Sequence, residues 1–282
     1  MNYIYDGTFE GFLTCVYAHY HAEKADGIAP ASLPGRLNSG AVCQENLLTA
    51  TRTIETDYEK AATVYDAIET KISKWDMERV YRVFKTNEDE KEMKLLRYIR
   101  FGFRRGPSIR LAHTHPIVLD IEKAERRISN EVHRLCGLIR FESVVPTTGM
   151  PPAITDPHHH AAPSPSPVPV PELLYSRIDP DNDVLEFLAP HFSDRFKSDP
   201  FIIHDERREK ALVSFQRKWH ITDFTEQDRA LLARTGAEEE YKKLWRQYFD
   251  TIAIKERTNP KCQRTFMPAR YWKNLPEINR PQ

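Results

Sequence analysis

Glycine is scarce, ten in 282 residues, and neither a Walker-type loop nor a dinucleotide-binding glycine fingerprint occurs. Phosphate cradles made from consecutive backbone N–H groups at a glycine-rich turn are therefore excluded. Cysteine is also rare: Cys15, Cys43, Cys136 and Cys262 lie far apart with no C-x-x-C pair. That spacing argues against a disulfide framework and against a cysteine zinc site, and the thiols are expected to be reduced and mostly buried. No apolar run approaches the ~20 residues of a membrane crossing, and the first residues lack the basic-then-apolar order of a secretion signal. A cytoplasmic chain with no membrane partner is the expectation. Net charge is absent too, with 41 cations against 41 acids, but 40% apolar and 11% aromatic residues suffice for a substantial core.

The zero total hides segregation. Residues 91–140 and 241–282 each carry a net +7, whereas 1–90 and 172–240 each carry −6 and 141–171 carry −2. Two basic segments permit an anionic partner, because the local cluster sets the field a phosphate backbone feels. They could equally face the acidic segments inside the fold.

Pro146 to Pro171 holds nine of the twenty prolines, the triplet His158, His159 and His160, and no Lys or Arg. Such a stretch is expected to be extended and mobile, and its histidines lack the supporting shell that orients metal ligands. Strand-like runs flank it, Gly137–Phe141 before and Leu173–Ile178 after, which predicts a hairpin with an oversized loop. Helical periodicity marks 9–21, 58–72, 77–84, 90–103, 117–136, 184–196 and most of 226–254. In 117–136, Ile117, Ile121, Ala124, Ile128, Val132 and Leu135 form one apolar stripe, opposite Lys123, Arg126, Arg127 and Arg134. Further strands are expected at 47–54, 201–204, 211–215 and 219–221. Strands outnumber intervening helices from 137 to 215, so an antiparallel meander is preferred to a doubly wound sheet. The expectation is α+β, mostly helical with an antiparallel sheet, in a single domain over 1–282 that the Pro-rich insert interrupts.

Four stretches carry candidate chemistry. Tyr5-Asp6-Gly7 with Thr8, Phe9 and Glu10 reads as strand, turn and capped helix start, with Asp6 or Glu10 the alternative site carboxylate. Arg97, Tyr98, Arg100, Phe101, Phe103, Arg104 and Arg105 interleave cations with aromatics at a helix end, which suits phosphate contact with base stacking. A cationic helix C-terminus is also favourable by itself. After the insert, Asp181, His191, His204 and Asp205 crowd into about thirty residues and could serve as acid–base catalysts, although no H-x-x-x-H or H-E-x-x-H motif names a metal. A hydrogen-bonded corner is the alternative. Finally, Tyr241, Leu244, Trp245, Tyr248, Phe249 and Ile252 recur at helical spacing and are expected in a core. Arg257, Lys261, Arg270, Tyr271, Trp272 and Lys273 follow on a proline-punctuated segment of the composition that tracks a nucleic-acid backbone and stacks bases.

These residues also carry a resemblance. Tyr5-Asp6-Gly7 with Phe9-Glu10-Gly11-Phe12, Leu96-Arg97-Tyr98-Ile99, Glu131-Val132-His133-Arg134, Ile178-Asp179-Pro180-Asp181, Leu188-Ala189-Pro190-His191-Phe192, Ile202-Ile203-His204-Asp205, Met267-Pro268 and Arg270-Tyr271-Trp272-Lys273 stand in the order found in one bacterial family. The chain resembles that family, labelled probable DNA metabolism or DNA repair protein, whose main domain is called domain of unknown function 4130. The resemblance runs nearly end to end, apart from the Pro146–Pro171 insert and residues 27–45. It implies company more than chemistry: members are encoded beside a radical S-adenosylmethionine protein or fused to a uracil-DNA-glycosylase-like domain. It supplies no catalytic residues. Both partners are expected in trans, since the C-x-x-x-C-x-x-C spacing of a radical cluster is absent, and no cofactor or metal is expected in the chain itself. Three functions follow as expectations: DNA binding in support of a separate repair enzyme, catalysis on nucleic acid through the His/Asp group, or a scaffold for the radical enzyme.

Overall fold

The computed structural model describes residues 1–31, 50–146, 173–234 and 238–279. The insert with His158–His160 and residues 47–49 of the expected strand lie outside them. The chain is α+β and divides into two compact units, residues 1–129 and 130–282.

In the first unit, β1 (Asn2–Tyr5) is the middle strand of a three-stranded sheet between β2 (Gly27–Pro30) and β3 (Thr51–Thr53). Both pairings are parallel. Alternation in β1 buries Tyr3 and Tyr5. Asp6 ends the strand and accepts from the Thr8 N–H, the Thr8 hydroxyl and the Thr56 hydroxyl, while Thr8 caps α1 (Phe9–His21). Asp57 and Ser73 cap α2 (Tyr58–Lys71) and α3 (Lys74–Phe84) in the same way. α4 (Lys91–Arg105) sends Leu95, Leu96, Tyr98 and Ile99 into the core. Tyr98 donates to Asp76 at 2.7 Å and accepts from Arg79, which is paired in turn with Glu125 at 2.7 Å.

α5 (Pro116–Leu138) has the stripe and length its period predicts. It consumes part of the strand expected at 137–141, and β4 starts only at Glu142 (Glu142–Pro146). A short apolar run such as Leu138, Ile139 and Phe141 suits either period, and here the helical bond from Ile139 N–H to Leu135 C=O prevails.

In the second unit a six-stranded sheet has the order β8 (Lys218–Asp223), β7 (Lys210–Phe215), β6 (Phe201–Asp205), β5 (Leu173–Ile178), β4, β9 (Leu232–Arg234). β4 and β5 pair antiparallel across the insert, as the hairpin reading predicts. The sheet is nevertheless mixed, because β5 and β6 run parallel with α6 (Leu185–Phe196) as their crossover. All five residues of β6 are buried, which fits a central strand covered on both faces. One face packs Tyr175, Ile202, Val213 and Phe224. Elsewhere in the unit, Phe141, Phe192, Phe196 and Phe201 form an aromatic cluster in which Phe141 meets the other three edge-on. The helix expected over 226–254 is interrupted, being α7 (Glu226–Ala230), the edge strand β9 and α8 (Glu238–Ile252). The short α9 (Pro260–Phe266) and a 3-10 turn at Ala269–Asn274 complete the described chain.

Candidate nucleic-acid interface

Sequence-distant charges of the second unit meet around Glu131 of α5. This side chain is 2% exposed and accepts five hydrogen bonds: from the N–H groups of Asp181 and Asn182 (both 2.9 Å), Asn182 Nδ2 (2.6 Å), Arg270 Nη2 (2.9 Å) and the Tyr271 hydroxyl (2.7 Å). Burial, reinforced by the Glu131 bond, pushes the Tyr271 hydroxyl up to about 12. Around the Ile178–Asn182 turn, Arg270 pairs with Asp181, and Arg207 bridges Asp179 (3.0 Å) and Asp181 (3.3 Å). Lys273 bridges Asp179 and Glu206, both at 3.1 Å. Burial would raise the Asp179 carboxyl, but Lys273 and Arg207 outweigh it and hold the group below the usual carboxylate range.

The cations of the C-terminal segment and the acids of the turn thus converge, and they satisfy one another. Arg270 and Lys273 are in internal pairs, Tyr271 is buried, and Trp272 donates its N–H to the Met267 carbonyl at 2.8 Å. Arg257 and Lys261 are exposed, and Arg134 is half-buried.

The four candidate catalytic residues do not meet as one group. Asp205 is fully buried against Arg208 (2.9 Å), which also donates to the Asp181 carbonyl, so these two carboxylate residues share one guanidinium. Burial raises the Asp205 carboxyl, opposed by Arg208. His204 is 2% exposed; its Nδ1 meets the Tyr175 hydroxyl at 3.0 Å and its buried Nε2 has no partner among the described residues. Burial holds its pKa below the ordinary histidine value. His191 lies exposed on α6, its ring edge-on to Phe192. Among the described residues no group of three His, Cys, Asp or Glu gathers in metal-binding geometry.

A different part of the unit is open. A cleft of about 1130 Å³ is bounded by the end of α5, β4, β5, α6, α8 and the C-terminal segment. Phe141, Phe196, Tyr241, Trp245 and Tyr248 line it. Six cations share the wall with one acid, Glu142. Four are matched: Arg140 with Glu277 (2.8 Å), Lys242 with Glu142 (3.1 Å), Arg177 with Glu206 (3.3 Å), and Lys273 as described. Arg195 and Arg246 form no ion pair among the described residues; Arg195 stands beside the Phe196 ring and Arg246 donates to the Pro276 carbonyl. The α8 aromatics are not core, contrary to their spacing: Tyr241 is 66% and Tyr248 55% exposed. Period alone does not separate a buried stripe from one lining a groove. The interleaved Lys242, Lys243 and Arg246 were the available signal, since a core face seldom has that many cations beside it.

In the first unit, Arg97, Arg100 and Arg104 follow at steps of three and four on one exposed face of α4, with Arg105 next to it, and none is in an ion pair among the described residues. The aromatics between them are engaged elsewhere: Phe101 is buried and stacked on His115, and Phe103 packs with Tyr20.

An α+β chain with an aromatic, cationic cleft is the class these observations define. The chain belongs to the family described as a domain of unknown function (DUF4130), whose model matches residues 89–277. No curated protein matches the chain, and no solved structure does. No helix among the described residues is long and apolar enough to cross a membrane.

Proposed function

We propose that the chain is a DNA-metabolism protein that binds nucleic acid, and that the cleft of the second unit is a principal contact surface. One observation carries this: an open groove whose wall combines aromatic rings with cations, two of which, Arg195 and Arg246, have no acid partner among the described residues. Such a wall offers charge to phosphates and ring faces to bases. The Arg97–Arg100–Arg104 face of the first unit, with no ion pair among the described residues, supports the same reading. The sequence resemblance to DNA repair proteins agrees with it, and extends it to action with a radical S-adenosylmethionine protein and a uracil-DNA-glycosylase-like partner. Binding is preferred to catalysis because His204 and Asp205 are buried, His204 against Tyr175 and Asp205 against Arg208.

The test is fluorescence anisotropy of the full chain with a fluorescein-labelled 30-mer, single-stranded and duplex, across a salt series. Affinity should fall linearly in log–log form, with a slope of roughly 0.7–0.9 per phosphate neutralised. R195A/R246A should lower that slope by about 1.5 while the circular dichroism spectrum stays unchanged. Absence of binding to either probe at low salt, or a slope untouched by the double substitution, defeats the proposal.

A further inference from the structure

We infer that the cleft takes single-stranded nucleic acid, with unpaired bases lying against the aromatic rings of α8; this rests on the nucleic-acid reading above. Tyr241, Trp245 and Tyr248 are spaced four and three residues apart and so share one face of the helix. At about 1.5 Å of rise per residue they stand roughly 6 and 4.5 Å apart along its axis, wider than the ~3.4 Å between stacked bases of a duplex strand. A duplex shows proteins only base edges, whereas these rings offer faces, which only bases free of pairing can meet. The middle ring is held in place. Glu277, itself buried, accepts from Trp245 Nε1 at 3.0 Å and from Arg140 Nη2 at 2.8 Å, and the Arg140 guanidinium lies 5.3 Å from the Trp245 ring centre. Tyr248 is 5.8 Å from that ring and tilted 36° to it. A fixed platform loses little side-chain freedom when a base arrives. The charge suits a polyanion: Arg246 follows Trp245 directly, and Arg195 stands on the same cleft from α6. An acidic peptide would use the cations but leave the exposed ring faces without a planar partner.

The full chain is titrated with fluorescein-labelled oligothymidylate of 16 nucleotides and with a 16-base-pair duplex at equal ionic strength. The single strand should bind at least tenfold tighter and quench tryptophan emission. Y241A/Y248A, changing two exposed rings, should cost the single strand tenfold or more, leave duplex affinity within twofold, and leave the salt slope unchanged; Y241F/Y248F should retain wild-type binding. Equal affinity for the two probes, or full single-strand affinity in Y241A/Y248A, overturns this inference while the broader nucleic-acid reading stands. Failure of both probes to bind overturns the two together.

Discussion

Replacing Glu131 by alanine should damage the second unit more than a single-residue change ordinarily does. The carboxylate is buried and receives five hydrogen bonds, two from the backbone N–H groups of Asp181 and Asn182 and one from the guanidinium of Arg270. Removing one member of a buried charge pair costs about 3–5 kcal/mol, because the remaining donors stay desolvated. Glu131→Gln keeps the shape but turns an NH2 group toward donors, and should cost about 2–3 kcal/mol. Trp219, Trp245 and Trp272 all lie in residues 130–282, so in a W75F background tryptophan emission reports this unit alone. With a urea dependence of about 2 kcal/mol/M, E131A should lower the unfolding midpoint by roughly 2 M and E131Q by about 1 M, at unchanged slope. A midpoint shift below about 0.5 M for E131A would mean that solvent or a neighbouring group replaces the carboxylate, and the account of this cluster would be wrong.

Two further outcomes follow from buried groups. Burial depresses the His204 pKa in the folded chain, so below the ordinary value of about 6.5 the unfolded chain binds the proton more readily and stability is lost as pH falls. Urea unfolding of the W75F protein at pH 7.5 and 5.0 should show that loss, and H204Q should flatten it; an identical pH dependence in H204Q contradicts the assignment. In the first unit a Cβ on Gly102 would stand 2.3 Å from Ile72 Cδ1, so Gly102→Ala should cost about 1–3 kcal/mol by thermal unfolding. The cost should shrink in an Ile72→Val background, where that methyl is gone; independence of the two changes would place the strain elsewhere.

Local pattern made much of the architecture legible. The stripe of α5 and the alternation in β1 express periods of 3.6 and 2, and the Thr8 cap follows from residue type. The parallel pairings were not legible, because β1 with β3 and β5 with β6 are chosen by contacts across tens of residues, and a buried central strand such as Phe201–Asp205 reads the same in either direction. In the candidate interface, composition located the basic segments but could not show which cations were already matched. Arg270 and Lys273 looked available, and are held by Glu131, Asp179, Asp181 and Glu206; Tyr241, Trp245 and Tyr248 looked like core, and line a cleft with Arg246.

The Glu131 cluster also imposes a timetable on biosynthesis. Its last ligands, Arg270 and Tyr271, are made 139 and 140 positions after the glutamate itself. At about 5–20 residues per second, the ribosome leaves that carboxylate incompletely matched for about 7–28 seconds. A nascent chain therefore cannot seal this part of the molecule until Arg270 and Tyr271 have left the ribosome, and their segment works as a late fastener on residues made well before it.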